Sequence, residues 1–221
     1  MSERHVVGFA VSAQRLWALV GSGREPDGLL VDAHGTLAAL DHDLRRSTPP
    51  TTASALAREV LAGRPDEKRA AEVVRLLVPV LAGVGERVGD GTALWLQDTM
   101  WLDWRAVLDA IGLTGLASVW ATSNLSWPWR EGHRVWWPIV TELSPEVLAR
   151  VEAEFDRTGD RWRELLDALP EDAFVDEDGE PLDEPEDARE ELAEVLDLAA
   201  DWVRRAVPTG LSLVLVTDGD L

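Results

Sequence analysis

The chain of 221 residues has no cysteine, no tyrosine and only two methionines, and Lys68 is its one lysine. Without cysteine there is no disulfide, no thiolate nucleophile and no Cys-ligated zinc. Histidine is nearly as scarce. His5, His34, His42 and His133 are the only four, and none stands in a His-Glu-x-x-His arrangement. Neither a metal site nor a cofactor is expected. The Walker pattern and the Gly-x-Ser-x-Gly elbow are also missing. Gly83-Val84-Gly85-Glu86-Arg87-Val88-Gly89 comes near a dinucleotide fingerprint, but its third glycine falls one residue late. It also follows a helical pattern rather than a strand. The most apolar stretch, Val73 to Val84, is broken by Arg75 and Pro79 and falls well short of the ~20 residues that span a bilayer. Met1 to His5 leads directly into a strand-like run with no basic and then apolar leader, so a cytoplasmic location is expected.

What is present is an ordinary apolar fraction, 46% of residues, in a chain long enough to stabilise a core by burial alone. The charge is less ordinary. The formal net charge is −20, and Ser144 to Leu221 holds 24 Asp/Glu against 7 Arg, a balance of −17. Such a surface repels phosphate and anionic lipid, so neither nucleic acid nor a membrane is an expected partner. It speeds encounter with a basic protein.

Apolar periodicity marks the elements. Val6 to Val11 reads as a buried strand, and Ser12 as the cap of a helix through Val20. Asp27 to Arg46 is weakly helical, in two pieces broken near Gly35. Ala53 to Ala62 is a helix stopped by Gly63. A second apolar stripe runs from Pro65 to Val84, with a kink or end expected at Pro79. Gly83, Gly85, Gly89 and Gly91 then read as a flexible exit. Ala93 to Leu96 and Leu116 to Ala121 read as strands flanking a helix at Trp101 to Ile111. Val135 to Val140 is β-like, held to a sheet edge by Pro138. Ser144-Pro145-Glu146 is a strong helix start, and Arg161 to Leu169 a second helix. Glu171 to Asp187, ten acids and no base in seventeen residues, reads as a solvated, mobile loop. Aligning Gly179 with the turn glycine of an EF-hand puts Phe174 and Pro185 at ligand positions, which excludes that motif. Glu186 to Val207 is the clearest helix, and Leu211 to Val216 a last buried strand. These elements predict a helix-rich α+β fold, one domain over 1–221, with a small mixed or antiparallel sheet containing the N-terminal and C-terminal strands.

Eight of the eleven tryptophans lie between Trp95 and Trp137. The densest group, Trp127, Trp129, Arg130, His133, Arg134, Trp136 and Trp137, is the candidate binding site. Tryptophan and arginine each combine large contact area with a polar handle and are enriched at binding hot spots. The competing expectation is that these indoles fill a core beneath a loop. Trp17 and Trp202, at helical core spacing, are expected to be structural. No pair of carboxylates stands out as an acid–base pair, although Asp98, Asp103 and Asp109 lie among the tryptophans.

Two stretches carry a resemblance. Val7-Gly8-Phe9-Ala10-Val11 with Leu16, Leu19, Val20, Gly21 and Ser22 opens it. Pro138-Ile139-Val140, the Ser144-started helix, the acidic stretch, Trp202-Val203-Arg204-Arg205-Ala206 and a last strand close it. Together they resemble an uncharacterised actinobacterial domain-of-unknown-function family akin to YfbM-like α+β domains. The resemblance covers about half of the chain; it implies a fold type and no catalytic residue. Two functional readings follow. One is a non-enzymatic, acidic protein-interaction module of immunity or regulatory type. The alternative is a small-molecule-binding protein or enzyme with a Trp-lined pocket. A third possibility is that the acidic stretch serves only solubility.

Overall fold

The computed structural model describes residues 5–32, 35–92, 104–122, 125, 127–129, 139–159, 161–176 and 179–218. It is an α+β fold in which the first and last strands share one sheet, as the apolar patterning predicts. The chain, read from its sequence as one domain, divides into two compact units. The first comprises Met1–Gly91, Asn124–Glu142 and Leu211–Leu221, and the second Thr92–Ser123 and Leu143–Gly210.

The first unit is built on a four-stranded antiparallel sheet of β1 (His5–Val11), β2 (Glu86–Thr92), β3 (Ile139–Leu143) and β4 (Ser212–Asp218), ordered β2-β1-β4-β3. β1 and β4 run antiparallel along their whole length, with Val7 opposite Val216 and Phe9 opposite Val214. Those four side chains join one apolar core with residues of α1 (Ala13–Trp17), α2 (Thr36–Arg46), α3 (Ala53–Leu61), α4 (Ala70–Arg75) and α5 (Leu77–Val84). The alternate residues Val6, Ala10, Leu213 and Leu215 are buried as well. Both faces of the two central strands are therefore apolar, which explains their unbroken hydrophobic runs.

Several elements differ from the sequence reading, each for a local reason. The first helix is only Ala13–Trp17, capped by the Ser12 hydroxyl, and the chain turns before Gly21. Of the weakly helical stretch after Asp27, only Thr36–Arg46 forms a helix, entered through Gly35 at φ 79°. The Pro65–Val84 stripe breaks at Leu76, three residues before Pro79. Proline removes its own N–H and crowds the carbonyl four residues back, here Arg75, so the helix stops there and Pro79 sits in the first turn of α5. The expected flexible exit at Gly85 to Gly91 is strand β2. It lies at a sheet edge, where glycine is tolerated. Gly85 is required there: a Cβ would lie 3.0 Å from the Ala10 carbonyl oxygen. β3 lies at the opposite edge, directly after Pro138. The strand expected at Ala93 to Leu96 falls outside the described residues.

The second unit is helical: α6 (Trp104–Ala110), α7 (Thr114–Thr122), α8 (Pro145–Thr158), α9 (Trp162–Asp167) and α10 (Pro185–Ala206). Leu116 to Ala121, read as a strand, is inside α7. A short apolar run does not distinguish the two by periodicity, and tertiary packing decides here: Leu113, Leu116 and Ala117 are buried at helical spacing. The Ser144 start is realised as read, with the Val147 amide donating to Ser144 Oγ and Pro145 opening α8. α10 buries the predicted stripe, including Leu192, Leu196, Trp202 and Val203, and places Arg204 and Arg205 in its last turn. No described helix is long and apolar enough to cross a membrane.

The acidic stretch is not the unstructured loop that its composition predicts. A 3-10 turn at Glu171–Ala173 leads to Phe174, which is fully buried, and then to a hairpin closed by a Val175–Pro181 bridge. The Leu182 amide donates to the Phe174 carbonyl at 2.9 Å, and the Asp176 amide to the Glu180 carbonyl at 2.9 Å. The Arg189 guanidinium lies 4.7 Å from the Phe174 ring centre and donates to the Leu169 carbonyl at 3.0 Å. One aromatic anchor and one cation thus help to hold a segment rich in exposed acids.

Candidate functional site

Of the seven candidate residues, Trp127 and Trp129 are described. Arg130, His133, Arg134, Trp136 and Trp137 lie outside the described residues. The segment is tied to the sheet by the Leu125 amide, which donates to the Val140 carbonyl of β3 at 3.0 Å. Two residues on, the Trp127 side chain is 1% exposed and belongs to the apolar core of the first unit. Trp129 is half-buried and packs against the same core. Trp127 is therefore a wall of the interior and offers no ring face to solvent.

The described residues that line the crevice beside Trp127 are apolar. With Leu19, Leu29, Ala57, Val60, Leu61, Leu76 and Val80, Trp127 lines a packed apolar crevice with no room for a water molecule. The indole Nε1–H is buried and donates to no acceptor. Leaving such a donor unsatisfied costs about 1–3 kcal/mol, and most buried polar groups avoid it.

The second unit carries the charge. Glu186, Asp187, Glu190 and Glu194 of α10 are exposed and form no ion pair with a described cation. Asp197, on the same helix, is engaged: it accepts from the Trp162 indole at 2.9 Å and from Arg163 Nη2 at 2.7 Å. Hydrogen bonding to Asp197 and its charge, followed by the fields of Glu194 and Glu190, raise the Arg163 pKa. Glu191 sits half-buried among these acids, with one carboxylate oxygen sealed from water and unpartnered. Burial, then the charges of Glu194 and Asp187, push its carboxyl above the usual range.

Residue-type reasoning missed Glu154. It is 3% exposed, and its carboxylate accepts from the Gly115 amide at 2.8 and 2.9 Å, from Thr114 Oγ1 at 3.2 Å and from the Leu116 amide at 3.4 Å. This caps α7 from another helix and places negative charge at its positive end. The sequence held a signal for it: Glu154 lies three residues after Val151 and directly before Phe155, on the buried stripe of α8. Both oxygens are engaged by the protein's own donors and the residue is buried, so this carboxylate is structural. Asp109, from the tryptophan-rich stretch, is exposed, while Asp98 and Asp103 lie outside the described residues.

Comparison with protein-family models, with curated proteins and with solved structures finds no match.

Proposed function

We propose that the protein is a non-enzymatic, acidic interaction module of immunity or regulatory type, which binds a basic protein partner in the cytoplasm. The observation that carries this reading is the row of exposed acids on α10, Glu186, Asp187, Glu190 and Glu194, none of which forms an ion pair with a described cation, although Arg163 lies within the field of Glu190 and Glu194. The helix dipole favours Glu186 and Asp187 in the first turn. It gives no such support to Glu190 and Glu194, where repulsion between like charges one turn apart weakens the helix. Charge kept against local stability suits a surface that steers a cationic partner. Nucleic acid and anionic membrane are disfavoured by the same field.

The test is capture from the native host at low and high salt, using the wild-type chain and a variant carrying E186Q, D187N, E190Q and E194Q. A partner retained at low salt, weakened by salt and lost by the variant supports the module. Absence of any specific partner at either salt, or equal capture by the neutralised variant, overturns it.

A further inference from the structure

Arg189 of α10 is the only basic residue between Arg163 and Arg204. Glu186 stands three residues before it on the same helix, where side chains meet, yet the two form no ion pair. The guanidinium turns instead to the acidic hairpin. It lies 4.7 Å from the Phe174 ring centre, and Nη2 donates to the Leu169 carbonyl at 3.0 Å. Its Nε–H is buried in that position and has no acceptor. A cation is thus held with one donor unsatisfied, a single turn away from an exposed carboxylate that could accept it. The hold itself is narrow. Among the described residues from Glu171 to Glu184 only Phe174 is buried, and Asp172, Glu180, Asp183 and Glu184 are exposed.

We propose that this hairpin is a latch that sets how much negative charge α10 presents. Docked, Phe174 and the Leu169 carbonyl occupy Arg189 and leave Glu186 without a counterion. Undocked, the guanidinium is released, reaches back one turn to Glu186 and neutralises the start of the acidic row. Segments with few buried apolar contacts open locally, well before the whole domain unfolds. The consequence for binding rests on the acidic-face reading given above: a cationic partner prefers the docked form and, by linkage, holds the hairpin closed.

The first measurement needs no partner. The Arg189 Nε–H resonance of the full-length ¹⁵N-labelled protein is identified by its loss in Arg189→Gln. In the wild type, Glu186→Gln should leave this resonance unmoved. In Phe174→Ala it should appear downfield, as a charge-assisted hydrogen bond requires, and Glu186→Gln should reverse that shift. Should Phe174→Ala fail to fold, Phe174→Leu keeps an apolar anchor without the ring face and should show the same dependence on Glu186, more weakly. An Arg189 resonance indifferent to Glu186→Gln in the folded Phe174 variant overturns the latch. The second measurement is nona-arginine binding at low salt. Loss of the Phe174 ring should weaken it about twofold, the scale of one exposed pair a turn apart, and should have no effect in the Arg189→Gln background. Equal affinity with and without the ring, or the same loss in both backgrounds, also overturns the latch. A wild-type chain that binds no nona-arginine counts against the acidic-face reading, and the Arg189 resonance still decides the latch.

Discussion

The Glu154 carboxylate grips the Gly115 amide with both of its oxygens, at 2.8 and 2.9 Å, across thirty-nine residues of chain. The contact is tight: a Cβ at position 115 would lie 2.9 Å from both Glu154 oxygens and from Arg150 Nε, so those side-chain ends would have to shift. Removing the acid strands the amides of Gly115 and Leu116 inside the protein. Glu154→Ala is expected to cost about 3 kcal/mol or more, since the lost acceptor is charged and the donors are buried. Glu154→Gln keeps one acceptor oxygen and should cost about half as much. Urea denaturation of the two variants measures the difference, and equal midpoints would show that the cap contributes little.

Gly83 poses two opposing effects. Alanine is better than glycine in a helix by about 1 kcal/mol, and Gly83 is the seventh residue of α5. Its Cβ, however, would stand 2.0 Å from the Leu29 carbonyl oxygen. The clash involves backbone, so it cannot be relieved by a rotamer change, and overpacking of this kind costs about 1–3 kcal/mol or more. Gly83→Ala should therefore lower the melting temperature, and a rise would place the Pro26–Val31 turn away from α5.

The acidic hairpin should depend on Phe174 and Arg189. Phe174→Ala removes a fully buried ring and is expected to cost about 3–5 kcal/mol. Arg189→Ala should cost less overall while still freeing the hairpin, because it removes the ring contact and the bond to the Leu169 carbonyl. Hydrogen exchange at the Leu182 amide reads this directly: protection should fall in both variants. Deleting Asp172 to Glu184 is consequently a poor test of the solubility reading, since it removes the Phe174 anchor together with the charges. Neutralising the exposed acids one by one is the cleaner experiment.

Glu191 sets a pH dependence with a definite sign. Its folded-state pKa is raised, so the native state holds the proton more tightly than the unfolded chain does. Its penalty is absent well below the ordinary glutamate range and develops as pH rises through the raised value. Glu191→Gln should then raise the melting temperature at about pH 7 and change it little at about pH 4. Part of the side chain is solvated, which limits the gain. A variant more stabilised in acid than at neutrality would contradict the assignment.

The parts of the fold that sequence makes legible are those in which local and long-range forces agree. The Ser144-Pro145-Glu146 start, the α10 stripe and the paired terminal strands all combine a clear periodicity with burial on the expected face. Leu116 to Ala121 was misread because six apolar-rich residues fit either a strand or a helix, and the deciding contact, Glu154 to Gly115, comes from another element. β2 was obscured by its glycines, and the close approach of the preceding Gly85 to Ala10 of β1 exists only once the sheet forms. The acidic hairpin was hidden by its composition; its single aromatic, Phe174, was the clue. For the candidate site, the tryptophan cluster was legible as a cluster. That Trp127 is buried was not, because the residues it packs with, Leu19, Val60 and Leu76 among them, are distant in sequence.

β4 lies between β1 and β3. During synthesis the first strand must therefore wait for its partner until the whole stretch between Val11 and Ser212 has been made. Until Ser212 to Asp218 emerges, the inner borders of β1 and β3 have nothing to bond to, and such borders invite pairing between nascent molecules. A chain truncated shortly before Ser212 should therefore aggregate instead of giving a smaller soluble product.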